Sequence, residues 1–391
     1  MLRNIASAAC AAVFAFVAAP ALAAETPALE IASQGYIFAG GNYVDGPDGK
    51  YMSGQAYVEY QIPKNRTHPF PIVMIEGGGQ SGSNFTGTPD GREGWAQYFL
   101  KRGYAVYVMD QPGRGRSALR PDYGDTVQRP TSWVQQQFTA PERSKLWPQA
   151  KLHTQWPGTG MAGDPIFDQF YAQQLQAIAS FPKQQALNRD AGAALLDKIG
   201  PAILLTHSQS GAFGWPIADA RPNLVKAIVA VEPSGPPVRD GVFKGAPDYF
   251  DNGPLSKPWG IAAVPLAYGG VANPSQLAFA EQEKSDAPDL MKCWRQREPA
   301  RSLTNLRDIP VVIISSEASY HASYDHCTAQ YLAQAGVKNV FIRLADRGIH
   351  GNGHMMMLEK NNPRSPRRFE DCSFPASSCG HCRGCRDRPA G

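Results

Sequence analysis

Short runs of apolar and β-branched residues recur along this chain and alternate with segments of helical periodicity. Seven of these runs predict strands, at 58–62, 71–75, 104–109, 202–206, 226–231, 311–315 and 339–344. Helical patterns lie between several of them, for example at 94–102, 167–178 and 328–335. Because alternating strands and helices form mostly parallel sheets with helices on both faces, we predict an α/β fold. In such sheets, functional side chains collect at the carboxyl ends of the strands.

Two long insertions interrupt this alternation, at about 118–168 and about 236–307. Both follow strand ends at the predicted functional edge of the sheet, where long connections serve as lids or binding loops. Their aromatic residues suggest an apolar or aromatic substrate pocket, although core packing explains many such residues equally well: Trp133, Trp147, Trp156, Trp259, Tyr123, Tyr249 and Tyr268.

The first 24 residues have the features of a secretory signal peptide. Arg3 precedes an apolar stretch, and small residues suited to cleavage follow at Ala21 and Ala23. A retained N-terminal anchor is the alternative, but the apolar run is short for a membrane span and Pro20 interrupts it. We therefore expect an exported protein, periplasmic or extracellular, with no membrane contact after cleavage. The mature domain is predicted at 25–362.

Composition and charge exclude one class of partner. The formal net charge is +4 over 391 residues, and much of the excess lies in the C-terminal tail, so nucleic acid is not an expected partner. A hydrophobic content of 43% is sufficient for a full core.

The cysteines divide between the body and the tail. An exported protein can oxidise a cysteine pair, so we predict a Cys293–Cys327 disulfide that holds the second insertion against the core. The tail, 363–391, contains Cys372, Cys379, Cys382 and Cys385. Their spacing is compatible with zinc ligands, but the block is short and has no surrounding fold, and we favour a disordered, atypical tail.

The segment 202–211 is the most informative of the chain. An apolar strand leads directly into T-H-S-Q-S-G, with Ser208 at the centre. This is the pattern of a nucleophile elbow, a sharp strand-to-helix turn that exposes a serine. The positions two before and two after the serine must be small. Ser210 meets this requirement, whereas Thr206 is bulkier than the usual glycine. The alternative is an ordinary turn in which Ser208 caps a helix.

A glycine run, E-G-G-G at 76–79, follows a predicted strand. Acyl transfer passes through a tetrahedral oxyanion that needs two backbone N–H donors. In hydrolases with an elbow, a glycine-rich loop after the third strand supplies one donor and the residue after the nucleophile supplies the other. Here the donors would be Gly78 or Gly79, and Gln209.

Two glycine-bearing segments allow competing interpretations. Residues 77–82 match the G-x-G-x-x-G motif of dinucleotide-binding loops, but 83–91 reads as a loop instead of the helix that this motif requires. The segment 110–117 contains arginines that suggest an anion site. A tight turn tied by the Asp110 carboxylate is the favoured interpretation.

A serine nucleophile needs a base, and an acid that orients the base, in the chain order Ser, acid, His. We favour Glu232 as the acid, and Glu317 and Asp325 remain alternatives. We favour His354 as the base, because it lies in a glycine-rich loop after the last predicted strand, directly before a predicted helix start. Three other histidines are considered. His350 is predicted to brace this loop, and His321 is a weaker candidate base. His207, inside the elbow, points the wrong way to serve as the base.

Six motifs together resemble the α/β-hydrolase superfamily and, within it, a small group of exported bacterial serine esterases. They lie at 76–79, 90–95, 110–117, 206–211, 231–233 and 351–357, and the resemblance covers roughly 32–362. It implies an α/β-hydrolase fold with lid-like insertions, and ester hydrolysis without a cofactor. It also implies Ser208, His354 and Glu232 as nucleophile, base and acid. Such hydrolases often form homodimers. The chain departs from the family after Asn362, where prolines and arginines replace the usual closing helix.

We therefore expect an exported serine esterase that cleaves a small-molecule ester through an acyl-enzyme intermediate. A catalytically inactive binding protein of the same fold is the first alternative, motivated by Thr206 and the altered C terminus. A dinucleotide-binding oxidoreductase is the second.

Overall fold

The structure, a computed structural model, describes residues 28–363 and 365–366. The predicted signal peptide and nearly all of the predicted tail, including its four cysteines and the alternative zinc site, lie outside the described residues.

Eight strands form the central sheet: β1 (Ile31–Gly46), β2 (Gly49–Pro63), β3 (Ile72–Ile75), β4 (Val106–Asp110), β5 (Ala202–His207), β6 (Val225–Val231), β7 (Val311–Ser315) and β8 (Asn339–Arg343). Their order across the sheet is β1-β2-β4-β3-β5-β6-β7-β8. The β1–β2 hairpin and the β2–β4 pair are antiparallel, and all other neighbours are parallel. The predicted mostly parallel α/β sheet is confirmed.

Strand β1 was not predicted, because its sequence is rich in glycine and polar residues and most of its side chains are exposed or half-buried. The predicted parallel strands instead have the continuous apolar runs that burial on both faces demands. Every residue of β3, β5 and β7 is buried. Helices and loops pack against both faces of the sheet, and each face has a hydrophobic cluster of its own.

The register of the parallel strands brings their carboxyl ends to one edge. Ile75 pairs with Thr206, His207 with Val231, and Val231 with Ile314. The segments that follow β3, β5, β6 and β7 therefore meet, and all the predicted site residues lie in these segments or in the loop after β8.

The α-helices are α1 (Ser83–Thr86), α2 (Trp95–Leu100), α3 (Thr131–Val134), α4 (Pro141–Ser144), α5 (Pro165–Tyr171), α6 (Phe181–Ile199), α7 (Gly211–Ala220) and α8 (Asp325–Gln334). The predicted helix at 167–178 is wrong in its second half, where Ala177–Ile178 is a short strand. The predicted loop at 83–91 begins with α1, a single helical turn.

The longest helix of the described residues, α6, was missed because its apolar periodicity is interrupted by amides. Gln185 is buried, and it donates to the Ala212 carbonyl and accepts from the backbone N–H of Ala263. The ends of α6 did carry a signal. Ser180 caps its N terminus and Pro182 lies in its first turn, while Gly200 follows its end.

The two insertions pack on each other above the functional edge. The first contains α3, α4 and α5, and the second contains two small hairpins, Arg239–Phe243 with Phe250–Leu255 and Phe279–Glu281 with Trp294–Gln296. The backbone N–H of Gly245 donates to the Leu146 carbonyl at 3.0 Å, which joins them. Core packing accounts for most of the aromatic residues singled out in the sequence, since five are buried: Tyr123, Trp147, Trp156, Trp259 and Tyr268.

Within the part of the chain that the structure describes, none of the helices combines the length and the apolar character needed to cross a membrane.

The predicted disulfide is present, with 2.07 Å between the sulfurs of Cys293 and Cys327. Cys293 belongs to the second insertion and Cys327 to α8. The bridge thus fixes that insertion to the sheet domain.

The disulfide leads to a stability prediction. Replacing both cysteines by serine should lower the free energy of unfolding by about 3–4 kcal/mol, because the bridge closes a chain segment of 34 residues. Denaturant titration of the oxidised protein and the double variant measures this difference. Recovery of two alkylatable thiols at these positions from the unreduced protein would contradict the bridge.

Candidate active site

The turn after β5 has the strained backbone of a nucleophile elbow. Ser208 has a φ of 56°, in the left-handed region that non-glycine residues rarely adopt. Residues 208–210 form one 3-10 turn that leads into α7. Such strain costs about 1–3 kcal/mol and persists only where the surroundings enforce it. The N-cap position of α7 belongs to Ser210, so the alternative in which Ser208 caps the helix is wrong.

Close packing around the turn explains how it tolerates Thr206. A Cβ on Gly214 would lie 3.1 Å from the Thr206 Cγ2, so the space that the larger strand residue needs comes from a glycine on α7. A Cβ on Gly211 would lie 2.4 Å from Pro233, and one on Gly77 would lie 2.9 Å from the Ser208 Cβ. The backbones of three strand ends thus converge on the serine.

The hydroxyl of Ser210 ties two of these strand ends together. Its Oγ donates to the carbonyl of Ile75, at the end of β3, over 2.7 Å. It also accepts the backbone N–H of His207, at the end of β5, over 2.8 Å. A small hydroxyl at this position therefore does more than avoid a clash.

Glu232 and His354 form the tightest acid–histidine pair at this edge. The His354 Nδ1 and a Glu232 carboxylate oxygen are 2.5 Å apart. Glu232 follows β6 with a φ of 46°, also in the left-handed region. Its carboxylate accepts further hydrogen bonds from the Ser319 hydroxyl and the Ser316 backbone N–H, each over 2.7 Å. The Glu232 carboxylate is thus held by His354 and by two groups of the segment that follows β7.

The two alternative acids each contact a different histidine. Asp325 Oδ1 lies 2.9 Å from the His321 Nδ1, and Glu317 Oε1 lies 3.0 Å from the His350 Nδ1. His350 is largely exposed and braces the loop, as predicted, whereas the His321–Asp325 pair is buried. Neither carboxylate contacts His354 among the described hydrogen bonds.

Burial sets the protonation state of His354. Desolvation lowers its pKa well below the usual range, and the neighbouring His321 acts in the same direction. The imidazole is therefore neutral at pH 7 and can accept a proton. Burial raises the pKa of Glu232, and His321, Ser319 and Ser316 oppose that rise. Both side chains are fully buried, while Ser208 retains 9% of its surface, so the serine is the member of this group that solvent reaches.

His207 was predicted to point the wrong way to serve as the base, and in the structure its ring holds the histidine loop. Its Nε2 donates to the backbone carbonyl of His354 over 3.0 Å, and the two rings lie 4.6 Å apart. Phe138, from the first insertion, stacks on the His354 ring at 5.0 Å. An insertion residue therefore contributes to the wall of the site.

The glycine loop after β3 lies against the start of the elbow. A Cβ on Gly78 would be 3.7 Å from the side chain of Gln209. The Arg114 guanidinium connects the two segments, because it donates to the Gly77 carbonyl at 2.7 Å and to the Gln209 Oε1 at 2.5 Å. Burial lowers the pKa of Arg114 to about 10, and nearby Glu76 opposes this, so the guanidinium stays charged at pH 7.

The segment 110–117 is a structural turn, as favoured. The Asp110 carboxylate accepts the backbone N–H groups of Gly82 and Arg116 at 2.8 and 2.9 Å. It also pairs with the Arg116 guanidinium at 2.9 Å. The carboxylate of Asp110 therefore links the glycine loop to the turn that carries Arg114.

The loop that carries His354 is anchored by residues far away in sequence. The predicted helix start at Met355 is wrong, because residues 354–363 form turns. Glu359 folds back to accept the Gly353 N–H at 2.8 Å and meets the His153 Nε2 at 2.8 Å. Arg92 donates to the carbonyls of Leu358 and Glu359, at 2.8 and 2.9 Å.

Comparison with known proteins gives one consistent result. Residues 72–370 match the family described as "Alpha/beta hydrolase family". The chain is 49% identical over 316 residues to "Probable secreted lipase phiG" of Fungal sp. (strain ATCC 74256), covering 80% of this chain and 84% of that protein. This chain belongs to the α/β-hydrolase family. A solved structure of "a Novel Bacterial Esterase" has the same fold, with a TM-score of 0.57 and 24% identity over 89% of this chain and 98% of that one.

Hydrogen bonds explain one motif whose role the sequence did not reveal. Arg92 and Trp95, from the motif at 90–95, clamp the segment after the histidine, and the Trp95 Nε1 donates to the Asn362 carbonyl at 3.0 Å. His153 and Arg114 were not identified as site residues. Their partners, Glu359 and Gln209, are distant in sequence, and no local pattern indicates such contacts.

The buried His153 gives a pH-dependent prediction. Although burial opposes it, hydrogen bonds to Glu142 and Glu359 raise the pKa of His153 from 6.5 to about 9. The contribution of His153 to the free energy of unfolding, about 3 kcal/mol, is therefore fully present below pH 6.5. It is lost as the pH rises through about 9.

Thermal melts at pH 7 and pH 10 test this linkage. Wild-type protein should lose more stability over this interval than His153→Gln does. His350→Gln, which removes a largely exposed hydrogen bond to Glu317, should follow the wild type. An equal loss in wild type and His153→Gln would contradict the role of His153.

Proposed function

We propose that this protein is an exported serine esterase with Ser208 as nucleophile, His354 as base and Glu232 as the orienting acid. The observation that carries the assignment is the Glu232–His354 hydrogen bond, found in the same chain as a serine held at a left-handed φ after β5. Ester cleavage as the reaction class, and export from the cell, are supported by the secreted lipase relative.

The proposed reaction assigns one role to each of these groups. Ser208 Oγ attacks the ester carbonyl carbon while the His354 Nε2 takes the serine proton. The Glu232 carboxylate holds Nδ1–H and stabilises the imidazolium that forms. The imidazolium then gives its proton to the leaving alcohol, and the acyl group remains on Ser208. Water activated by the same imidazole releases the acid.

The oxyanion site is proposed at the junction of the glycine loop and the elbow. Backbone N–H groups of Gly78 or Gly79 and of Gln209 would face the developing charge. Arg114 supports this arrangement, because one guanidinium holds both the Gly77 carbonyl and the Gln209 side chain. Its positive charge also favours a nearby oxyanion.

Two contacts favour the esterase over an inactive binding protein of the same fold, whose second motivation, the altered tail after Asn362, lies almost wholly outside the described residues. Gly214 provides the space for Thr206, and Arg92 clamps the segment after His354 as far as Asn362.

A small-molecule ester is the proposed substrate. A homodimer and the predicted domain bounds 25–362 remain predictions.

Substitutions of the proposed nucleophile and of two candidate acids distinguish the proposed triad from an arrangement with Glu317 as the acid. Ser208→Ala should lower kcat for a short p-nitrophenyl ester by about 10⁵- to 10⁶-fold, and Glu232→Gln by about 10³- to 10⁴-fold. Glu317→Gln, which removes a carboxylate that faces a different histidine, is the matched control and should retain nearly full activity.

Steady-state kinetics on correctly folded variants measures these changes in kcat. Unchanged turnover in Ser208→Ala would refute the nucleophile. A larger loss in Glu317→Gln than in Glu232→Gln would transfer the role of the acid to the loop after β7.

A further inference from the structure

Tyr320 lies among the reacting groups and has no part in the proposed triad. It follows β7 and its ring is half-buried. Its hydroxyl oxygen is 3.2 Å from the His354 Nε2, the nitrogen that exchanges protons during the reaction. The side chain of Ser208 also lowers the pKa of this hydroxyl, which indicates that the two groups are close. One phenol therefore faces both the nucleophile and the base.

The rest of the site fixes the ring of Tyr320. It lies 5.7 Å from the Trp147 ring, 5.8 Å from the Phe243 ring and 4.8 Å from the His354 ring. Trp147 is itself held, since its Nε1 donates to the Ala318 carbonyl at 2.9 Å. Both insertions thus contribute an aromatic wall that keeps the hydroxyl at the imidazole.

The position of the hydroxyl relative to Nε2 indicates its role. In the second half of acylation, the Nε2 proton must reach the oxygen of the leaving alcohol. During deacylation the same nitrogen must accept a proton from the attacking water. An atom within hydrogen-bond distance of Nε2 therefore adjoins the place that these oxygens occupy. The proposed oxyanion donors lie elsewhere, in the glycine loop and at the start of α7.

We propose that Tyr320 is a catalytic residue whose hydroxyl donates a hydrogen bond to the leaving-group oxygen and, in deacylation, to the attacking water. The inference rests on the proposed Ser208–His354–Glu232 triad. As the bond between the carbonyl carbon and the leaving oxygen breaks, its electron pair stays on that oxygen. The proton comes from the His354 Nε2, and the phenol stabilises the developing charge while keeping its own proton.

The electrostatic surroundings agree with a phenol that stays protonated. Desolvation raises the pKa of Tyr320 above its usual range, the Glu232 carboxylate raises it further, and Ser208 opposes the rise. The hydroxyl therefore remains a hydrogen-bond donor across the pH range in which an esterase works.

The test is the dependence of kcat/KM on the leaving group in Tyr320→Phe, which keeps the ring and removes the hydroxyl. A series of acetate esters with one acyl group and alcohols of increasing pKa separates the effects. Poor leaving groups should lose about 10- to 100-fold in kcat/KM, the value of a hydrogen bond to a developing charge. The p-nitrophenyl ester should change little, because its leaving group needs little stabilisation.

The matched control is Tyr331→Phe, which removes another buried tyrosine hydroxyl, one that bonds Tyr268 at 3.0 Å in the core. It should retain the wild-type dependence on the leaving group. Active-site titration with a fluorophosphonate normalises each preparation to its folded, reactive fraction.

A steeper dependence on leaving-group pKa in Tyr320→Phe alone supports the proposal. An equal loss for all esters, no loss, or faster turnover would overturn it, since these indicate a packing role, no role, or a hydroxyl that blocks the site. The proposed triad fails by a different result, namely persistent activity in Ser208→Ala.

Discussion

The left-handed turn at Ser208 is the constraint around which the site is built. A serine with a φ of 56° is unfavourable on its own, and close packing must maintain it. Gly77, Gly211 and Gly214 permit that packing, because a Cβ at these positions would meet Ser208, Pro233 and Thr206 at 2.9, 2.4 and 3.1 Å, respectively. The same crowding brings β3 and β6 to the end of β5, which delivers the glycine loop and Glu232 to the serine.

If the proposed acid follows β6, the loop after β7 supports that acid and does not supply it. With Glu232 as the partner of His354, that loop supplies groups that orient the carboxylate, namely the Ser316 N–H and the Ser319 hydroxyl. It also brings Tyr320 to the His354 Nε2. The three candidate carboxylates each pair with a different histidine, yet among the described hydrogen bonds only the one from Glu232 reaches His354. The hydrogen-bond geometry therefore distinguishes carboxylates that chain order leaves equivalent.

Local sequence patterns predicted those elements that depend on residues close together in the chain. The buried strands, the elbow and the order of Ser208, Glu232 and His354 follow from apolar runs and from the residues at their ends. The exposed strand β1 and the amide-interrupted helix α6 lack such runs. The supports of the histidine loop were not predictable for another reason. His153 and Glu359 are 206 residues apart, and Arg92 and Asn362 are 270 apart, so only the folded chain reveals these contacts.

The central claim is that Ser208 is a nucleophile activated by His354. Mass spectrometry of the protein after reaction with a fluorophosphonate tests it most directly. One equivalent of label should appear on the peptide that contains Ser208, and the rate of labelling should fall sharply in His354→Asn. Label on another residue, or an unchanged rate in His354→Asn, would contradict the account.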